Sequence, residues 1–350
     1  MVEQTQHIFE GHLRLAALIY RTNLRTKFMS EHLSEKDLET YSPFCKHRRS
    51  DNKRIPFVAS AKTLEAVADK ADLFATGITL ATQVSKSNLE QTVQTLSSFH
   101  TRHTASTTLP QITDWLISQF EGFGYDDVKL DPYTKNGLNL NNVVCVKSGQ
   151  GGETETIILC GHFDTIIANS PNNPTLRSPG ANDNATGVAV ILEVARILAA
   201  TALNRTIQFV CFSGEEKGYW GAEAYSAKVK QANLNLRFLL NLDQIGFPAA
   251  NKTVVIEHDK DNIMSSNDQA SQFFAETVAQ VAQTRLNVPI ERAEIERSDY
   301  MPFEALGFTV FGLYESGNYQ HQHTDRDTIE KVDFDYLVNM AKITVTAMFA

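Results

Sequence analysis

The chain has 350 residues, of which 42% are hydrophobic and 21% are charged, a composition typical of soluble globular proteins of one large or two ordinary domains. A formal net charge of −9 argues against a general binder of nucleic acids or anionic membranes, because both favour a basic surface. No window approaches the roughly 18 uninterrupted apolar residues of a transmembrane helix, so no transmembrane segment is expected.

The first 86 residues differ in pattern from the rest. HIFEGHLRLAALIYRTNL (7–24) and SEKDLETY (34–41) predict helices, and KTLEAVADKADLFATGITLATQ (62–83) predicts another helix or a pair. The basic stretch KHRRSDNKR (46–54) is typical of a solvated linker. We therefore expect an N-terminal helical extension over 1–86, as a pro-segment or a lid, and a catalytic domain over 87–350.

The start of the chain and the cysteines bear on the cellular compartment. The N-terminal residues lack the basic, apolar and small-residue order of a signal peptide, so a chain that naturally begins at Met1 is expected to be cytoplasmic. The cysteine spacing fits neither a paired zinc motif nor a disulfide framework. We expect buried free thiols at all four positions, Cys45, Cys145, Cys160 and Cys211.

From about residue 87 onward, strand and helix patterns alternate. Two helical patterns, NLEQTVQTLSSF and LPQITDWLISQFEGFGY, precede VKLDPY and NNVVCVKS, which predict a hairpin. Apolar runs that predict strands follow: ETIILCG, TIQFVCFSG, RFLLNLDQIG, TVVIEHD and FTVFGLY. Between and after them lie the helical patterns GVAVILEVARILAA, GAEAYSAKVKQ, SQFFAETVAQVAQT and DFDYLVNMAKITVTAMF. Such alternation predicts an α/β sandwich with a largely parallel central sheet.

Side chains that bind metals follow several of these predicted strands. Each has an ordinary explanation when taken alone; Asp183, for example, could cap the next helix. Because the carboxyl ends of parallel strands meet at one edge of a sheet, we expect these side chains to converge. They are His162 and Asp164 after ETIILCG, Asp183 in SPGANDNATG, Glu215 and Glu216 after TIQFVCFSG, Asp243 in RFLLNLD, and His323 in HQHTDRDT.

The residue types in this set indicate a metal centre. Crowded carboxylates repel one another unless cations lie among them, and two divalent ions would offset the charge. Imidazole nitrogen and carboxylate oxygen suit Zn²⁺, with Co²⁺ or Mn²⁺ as substitutes. The consecutive Glu215 and Glu216 can supply a metal ligand and a general base beside the same water.

Six short motifs strengthen this interpretation. GHFDT, GANDNATG, FSGEEKGYWGAEAYS, NLDQIG, SDYMPF and HTDRDT resemble, in order and spacing, those of the M28 family of di-zinc exopeptidases over roughly residues 87–350. The resemblance implies a three-layer αβα sandwich with a mixed, largely parallel sheet of about eight strands. It also implies a metallo-aminopeptidase with two Zn²⁺ per chain, acting on peptides with a free N-terminus.

The resemblance carries over residue by residue. His162 and Asp243 resemble the ligands of one zinc, Glu216 and His323 those of the other, and Asp183 the carboxylate that bridges both. Glu215 resembles the general base that activates a metal-bridging water. Asp164 resembles the carboxylate that orients the metal-binding histidine.

Three further residues resemble parts of family sites. Tyr319 resembles a tyrosine that donates to the oxyanion in some members, although an ordinary pocket-side tyrosine accounts for it equally well. Ser298 and Asp299, in SDYMPF, are expected to support the site without binding metal.

Several alternatives remain. A carboxypeptidase or dipeptidase of the same family would clamp a carboxylate with arginines; Arg177 and Arg297 lie near the relevant loops, but no arginine cluster is evident. A glutaminyl cyclase would keep the fold with a single zinc, and some relatives without metal ligands act as receptors or scaffolds. The resemblance implies a secreted or periplasmic protein if a leader has been removed. The sequence predicts no oligomeric state.

Overall fold

The computed structural model describes residues 53–260 and 262–350. The helices predicted over 7–24 and 34–41, most of the basic linker and Cys45 lie outside the described residues. Within the described ranges, no helix combines the length and the apolar character needed to cross a membrane.

Nine strands of the described residues form one mixed sheet, in the order β1-β8-β7-β9-β6-β4-β5-β3-β2. The predicted sandwich is confirmed, with one strand more than the eight or so expected. The strands are β1 (Ile55–Pro56), β2 (Val128–Lys135), β3 (Leu138–Lys147), β4 (Thr156–His162), β5 (Thr206–Phe212), β6 (Leu236–Leu242), β7 (Val254–His258), β8 (Ile290–Glu294) and β9 (Val310–Glu315).

Helices cover both faces of the sheet. Seven helices contribute to the larger hydrophobic cluster on one face: α1 (Ala61–Asp69), α2 (Ala71–Ala81), α3 (Lys86–Ser98), α4 (Leu109–Gly122), α5 (Ala185–Leu198), α7 (Asp268–Arg285) and α9 (Phe334–Ala347). The smaller cluster on the other face includes side chains of α6 (Trp220–Gln231) and α8 (Met301–Glu304).

The central strands bury both of their faces. Ile157 and Leu159 of β4 belong to the larger cluster, whereas Ile158 and Cys160 belong to the smaller one. Successive side chains of a strand point to opposite faces, so a strand covered on both sides needs a continuous apolar run, as ETIILCG provides. The predicted buried free thiols are confirmed at the three described cysteines, Cys145, Cys160 and Cys211.

The described part of the N-terminal extension is built into the sheet and its helical layer. Strand β1 pairs antiparallel with β8 at the sheet edge, and the helix pair predicted over 62–83 is present as α1 and α2. Residues 53–86 belong to the same compact unit as the rest of the described chain. The boundary predicted at residue 86 therefore does not coincide with an edge of this unit.

The centre of the sheet places the carboxyl ends of four strands side by side. Strands β5, β4, β6 and β9 are mutually parallel, and β2 and β3 form the predicted antiparallel hairpin. After β4 the chain adds β5 on one side and β6 on the other. Such a switch point opens a crevice beyond the carboxyl ends of the strands, where ligands bind in open α/β sheets.

Candidate active site

His162 occupies the carboxyl end of β4, in the middle of this crevice. Its Nε2 atom lies 3.2 Å from Oδ1 of Asp183 and 3.4 Å from Oδ1 of Asp243. Asp243 directly follows β6, which is hydrogen-bonded to β4. All three side chains are buried, so this half of the site is shielded from bulk water.

His323 provides the second half of the site, in the loop that follows β9. Its Nε2 atom lies 3.0 Å from Oδ2 of Asp183 and 3.0 Å from Oε2 of Glu216. Asp183 therefore turns one carboxylate oxygen toward each histidine. One ligand atom from each of His162, Asp183 and Glu216 lies within 4.8 Å of the other two.

The loop that carries Asp183 is fixed by buried hydrogen bonds. The carboxylate of Asp327 accepts the backbone N–H groups of Asn182 and Asp183, at 2.8 and 2.9 Å. The Asn182 amide donates to Glu315 at 2.9–3.0 Å. Asn184, rather than Asp183, caps helix α5 with its side chain. Asp183 is thus left available for other ligands, and the motif HTDRDT supplies both a histidine and the carboxylate that holds this loop.

Asp164 ties the Glu215–Glu216 turn to the His162 strand end. Its carboxylate accepts the backbone N–H groups of Glu215 and Glu216 at 3.1 and 3.3 Å, and the Thr104 hydroxyl at 2.9 Å. Nδ1 of His162 lies 3.2 Å from the backbone carbonyl oxygen of Asp164 and 3.7 Å from Oδ1 of its carboxylate. This position supports the predicted role of Asp164 in orienting the histidine.

The turn with the two glutamates depends on glycine. A short 3₁₀ turn, Glu215–Lys217, is flanked by Gly214 and Gly218 with φ angles of 76° and 101°, a region that side chains other than glycine rarely adopt. A Cβ atom on Gly214 would also lie 2.9 Å from the Tyr133 hydroxyl. The turn buries Glu216 and leaves Glu215 half-buried at the wall of the cleft.

Neighbouring carboxylates favour the protonated form of both histidines. Burial alone would lower the pKa of His162, but the charge of Glu215 and hydrogen bonds to carboxylates raise the pKa well above its ordinary value. The pKa of His323 is raised in the same way, chiefly by Glu216. Burial would raise the pKa of Asp183, yet its hydrogen bonds to the two imidazoles hold that pKa well below the usual range.

The pKa values of the two glutamates are raised, whereas that of Asp183 is lowered. Burial raises the pKa of Glu216 to about 7, against the opposing charge of His323. Burial raises the pKa of Glu215 well above its usual value; His162 opposes the rise and the negative charge of Glu216 adds to it. Adjacent carboxyl groups in this cleft thus compete for protons unless positive charge lies between them.

The donor set fits a pair of divalent cations. Within the described residues, Oε1 of Glu216 is buried and accepts no hydrogen bond, which is costly for a carboxylate without another ligand. Each half of the site joins an imidazole nitrogen to carboxylate oxygens, the donors preferred by Zn²⁺. The structure thus brings together all five predicted metal ligands: His162, Asp183, Glu216, Asp243 and His323.

Besides the predicted ligands and Glu215, the cleft contains Arg297, which the sequence analysis had considered, and three residues that the sequence patterns did not reveal. Tyr219, Gln244, Arg297 and Gln322 line it together with the ligand set and Glu215. Tyr219, Gln244 and His323 have φ angles of 61°, 50° and 55°, in the left-handed region that costs about 1–3 kcal/mol for such residues. Strained backbone of this kind clusters at functional sites, but no sequence signal exposes it outside glycine and asparagine.

Three predicted residues support the site from outside the cleft. The Tyr319 hydroxyl donates to Oδ1 of Asp327 at 2.6 Å, and Tyr319 is not among the cleft-lining residues. This position favours a supporting role and gives no support to the predicted oxyanion contact. Ser298 donates to Oδ2 of Asp243 at 2.6 Å, whereas Asp299 is fully buried and its carboxylate oxygens accept no hydrogen bond from the described residues.

Comparison with known proteins places this geometry in a family. The family model described as "Peptidase family M28" matches residues 142–348. A leucine aminopeptidase 1 of Arthroderma otae is 30% identical over 305 residues, which cover 80% of this chain and 79% of that protein. A probable zinc metalloprotease of Leptosphaeria maculans is 26% identical over 321 residues, covering 77% of this chain and 74% of that protein.

Solved structures share the fold at low sequence identity. The LapA aminopeptidase of Legionella pneumophila superposes with a TM-score of 0.66 at 19% identity, over 84% of this chain and 76% of that one. A glutaminyl cyclase of Porphyromonas gingivalis superposes with a TM-score of 0.63 at 22% identity, over 76% of this chain and 98% of that one. The fold is therefore common to two chemistries.

Proposed function

The chain belongs to peptidase family M28, and from this premise we propose that it is a zinc-dependent aminopeptidase that removes N-terminal residues from peptides with a free amino group. One observation carries the proposal of two metals: Asp183 turns Oδ1 toward His162 and Oδ2 toward His323, at 3.2 and 3.0 Å. A carboxylate with its oxygens directed at two imidazoles is arranged to bridge two cations. The names of the related aminopeptidase and zinc metalloprotease support the use of zinc and the aminopeptidase activity.

Five residues would hold the two ions. His162 and Asp243 would bind one zinc, Glu216 and His323 the other, and Asp183 both, with Co²⁺ or Mn²⁺ as substitutes. A zinc pair supplies Lewis-acid polarisation of the scissile carbonyl and lowers the pKa of water in the cleft.

We propose that Glu215 acts as the general base. Its carboxyl group faces the cleft, while its backbone N–H is held by Asp164 at 3.1 Å. In the proposed reaction, Glu215 takes a proton from the attacking water and later delivers it to the leaving amine. Because the backbone is anchored, the side chain can change its protonation state without moving the turn.

Asp164 connects the turn that carries the proposed base to the nearest histidine. Its carboxylate accepts the backbone N–H groups of Glu215 and Glu216 at 3.1 and 3.3 Å, and it lies 3.7 Å from Nδ1 of His162. We infer that Asp164 orients His162 with Nε2 toward the cleft, as carboxylates do for many metal-binding histidines.

A dipeptidase or carboxypeptidase is the second candidate, and Arg297 is the observation that favours it. Of the two arginines considered from the sequence, Arg297 lines the cleft, whereas Arg177 is exposed and donates to the backbone carbonyl of Asp325. A guanidinium in the cleft could bind the terminal carboxylate of a short substrate. The names of the related leucine aminopeptidases favour the aminopeptidase.

A substrate panel distinguishes these activities. We expect release of the N-terminal residue from aminoacyl-nitroanilides and from unblocked tri- and tetrapeptides, with no turnover of the same peptides after N-acetylation. Hydrolysis confined to dipeptides, or persisting after N-acetylation, would refute the aminopeptidase. An N-terminal glutaminyl peptide converted to pyroglutamate, instead of losing its first residue, would identify a cyclase.

A further inference from the structure

A short segment between α3 and α4 lies beneath the metal-binding loops. Its four residues, Thr101, Arg102, His103 and Thr104, are buried. It lies upstream of residues 142–348, which carry the family match. Helix α3 ends at Ser98 and α4 begins at Leu109, so a loop that belongs to no helix and to none of the nine strands is buried here. Buried loop backbone needs specific partners, because its polar groups cannot reach water.

Arg102 is the centre of this segment. Its side chain is fully buried, and each of its hydrogen bonds in the described part of the chain goes to a backbone carbonyl. Nε donates to Phe163 at 2.7 Å, Nη2 to Gly180 at 2.8 Å, and Nη1 to Pro179 at 2.5 Å and Leu96 at 2.9 Å. The planar fork of a guanidinium suits such a set of diverging acceptors better than a lysine would.

These carbonyls belong to the two loops that carry the metal ligands. Phe163 follows His162 directly, and Gly180 lies three positions before Asp183. Gly180 has a φ angle of 53°, and a Cβ atom there would lie 2.8 Å from Nη2 of Arg102. The same Cβ atom would lie still closer to Cγ2 of Thr165 and to the carbonyl oxygen of Asp183, so the close packing of both loops and the guanidinium requires glycine at this position.

The rest of the segment bonds to the same two loops. The Arg102 N–H donates to the Thr165 hydroxyl at 3.1 Å, and that hydroxyl donates to the Ser178 carbonyl at 3.2 Å. Thr101 and Ser178 form a parallel bridge, and Thr104 donates to Asp164. The segment is therefore bonded on one side to residues 163–165 and on the other to residues 178–180.

Hydrogen bonding alone does not explain why a positively charged side chain is buried at position 102. Burying a cation without an ion-pair partner costs several kcal/mol, and neutral amide donors could satisfy carbonyls at lower cost. The positive charge is balanced over a longer distance by carboxylates of the site: burial lowers the pKa of Arg102 to about 10, and Asp327, Asp164 and Asp183 oppose the fall. The guanidinium stays charged at neutral pH and offsets part of the repulsion among these carboxylates.

We propose that the segment Thr101–Thr104 is a positioning element of the metal site, in which Arg102 sets the spacing of the His162 and Asp183 loops and contributes a fixed positive charge beneath the carboxylates. Arg102 touches neither the cleft nor a predicted metal ligand side chain, so it acts through the loops. The proposal rests on zinc binding by the residues assigned above.

The test compares zinc affinity and ligand geometry in variants of the full chain. Arg102→Met removes the charge and the donors, Arg102→Lys keeps the charge, and Thr104→Val removes the hydroxyl bonded to Asp164. Arg237→Met serves as the matched control, because Arg237 is a mostly buried arginine at the opposite end of β6 from Asp243. Zinc affinity is measured by chelator competition, ligand geometry by the visible spectrum of the Co²⁺ form, and folding by circular dichroism.

We expect Arg102→Met to weaken zinc binding by about 10–100-fold, the usual effect of losing a group that supports metal ligands. Its Co²⁺ spectrum should change, and at saturating zinc kcat should fall more than KM changes. Arg102→Lys should lie between Arg102→Met and wild type, Thr104→Val should weaken zinc binding in the same direction, and Arg237→Met should match wild type. A role in stability alone would lower the melting temperature without moving zinc affinity or the spectrum.

The outcomes separate this proposal from the proposed function. Wild-type zinc affinity and spectra in folded Arg102→Met and Thr104→Val would overturn the positioning role alone. If Arg102→Met does not fold, Thr104→Val carries the test, and unchanged zinc affinity there overturns the proposal. A wild-type protein that binds no zinc would refute the proposed function itself, and the positioning role with it.

Discussion

Glu215 and Glu216 are adjacent in the chain but meet different surroundings. Glu216 is buried against His323, with Oε2 at 3.0 Å from the imidazole, whereas Glu215 lies at the wall of the cleft. The glycine-flanked 3₁₀ turn produces this difference, because it places successive side chains in different directions within three residues. Two chemically identical groups can therefore serve as a metal ligand and a base.

Substitution of Glu215 by Gln tests this division of roles. We expect Glu215→Gln to lower kcat by about two to four orders of magnitude, because an amide cannot accept the proton of the attacking water. Zinc content should stay at the wild-type value. Glu223→Gln is the matched control, since Glu223 is exposed, pairs with Lys135 and does not line the cleft. Loss of zinc in Glu215→Gln, or turnover near wild type, would contradict the assignment.

Tyr319 offers a test between catalysis and support. Its hydroxyl donates to Asp327, which in turn holds the backbone of Asp183. We expect Tyr319→Phe to weaken zinc binding, measured by chelator competition, while kcat at saturating zinc falls less than about tenfold. An oxyanion donor would show the reverse, with zinc affinity unchanged and kcat reduced by about 10²–10³-fold.

Asp259 directly follows β7. The fold disfavours the ionised form of its carboxyl group, which predominates at high pH. The side chain is buried, and burial raises its pKa to about 7, with the nearby carboxylates of Glu304 and Asp268 adding to the rise. The neighbouring His258 is neutral near pH 7, because burial lowers its pKa to about 4. In the unfolded chain the pKa of Asp259 returns to about 3.9.

The stability effect of Asp259 follows from these values. Between about pH 4 and pH 7 the folded state binds the additional proton, so stability attributable to this residue falls as pH rises through that window. We expect Asp259→Asn to raise the melting temperature at pH 8, by about 2–4 °C per kcal/mol recovered, and to raise it only about a third as much at pH 5, which lies about one pH unit into this window of about three. Equal shifts at both pH values, measured by thermal unfolding at fixed zinc concentration, would contradict this account.

At the scale of elements, the described N-terminal strand and helices complete the body of the molecule. Phe57 and Phe74 are buried in the larger hydrophobic cluster, and the Thr63 hydroxyl donates to Glu276 of α7 at 2.7 Å. Glu276 also pairs with Arg292 of β8 at 2.8 Å. Strand β1, α1 and α2 are thus bonded to the sheet edge and its helical layer.

A pair of truncations tests this arrangement. Deletion of residues 1–86 removes β1, α1 and α2 and exposes the apolar surfaces they cover, so we expect aggregation or a melting temperature lowered by more than about 10 °C. Deletion of residues 1–52 keeps all of these contacts and serves as the comparison. A stable, active protein after deletion of 1–86 would show that these elements are dispensable.

The shorter deletion also tests the predicted pro-segment. If residues 1–52 inhibit the enzyme, kcat/KM on an aminoacyl-nitroanilide should rise when they are removed. Unchanged or reduced kcat/KM would count against an inhibitory role for residues 1–52.

Some elements could be predicted from the sequence and others could not, for identifiable reasons. The central strands were recognisable because burial on both faces demands continuous apolar runs such as ETIILCG. Strand β8 has the sequence IERAE, which contains no apolar run. Charged residues are accommodated there because the strand lies near the sheet margin and Arg292 pairs with Glu276. Strand β1 has two residues, too few for any periodic pattern.

The same contrast applies to the site. His162, Asp243 and the glutamate pair could be predicted because they end strands whose carboxyl edges must converge in a parallel sheet. Arg102 could not, because its partners are backbone carbonyls that leave no mark in the sequence. The hydroxyl direction of Tyr319 was also unpredictable, since it is set by the fold of the loop around Asp327.

At the scale of the whole molecule, the sheet gathers residues that are distant along the chain. The switch around β4 places the ends of β5, β4, β6 and β9 next to one another, and each of these ends leads to a predicted ligand. Asp183 joins them from the loop before α5, so that one carboxylate serves both halves of the site. We propose that this arrangement binds two zinc ions in each chain.

Metal stoichiometry tests that claim most directly. The purified full-length protein is saturated with zinc, freed of loosely bound metal by gel filtration, and analysed by elemental mass spectrometry against amino-acid analysis. We predict two zinc ions per chain in the wild type and loss of zinc in Asp183→Ala, with aminopeptidase activity following the zinc content. One zinc or none per wild-type chain, or two zinc ions retained without Asp183, would contradict the account.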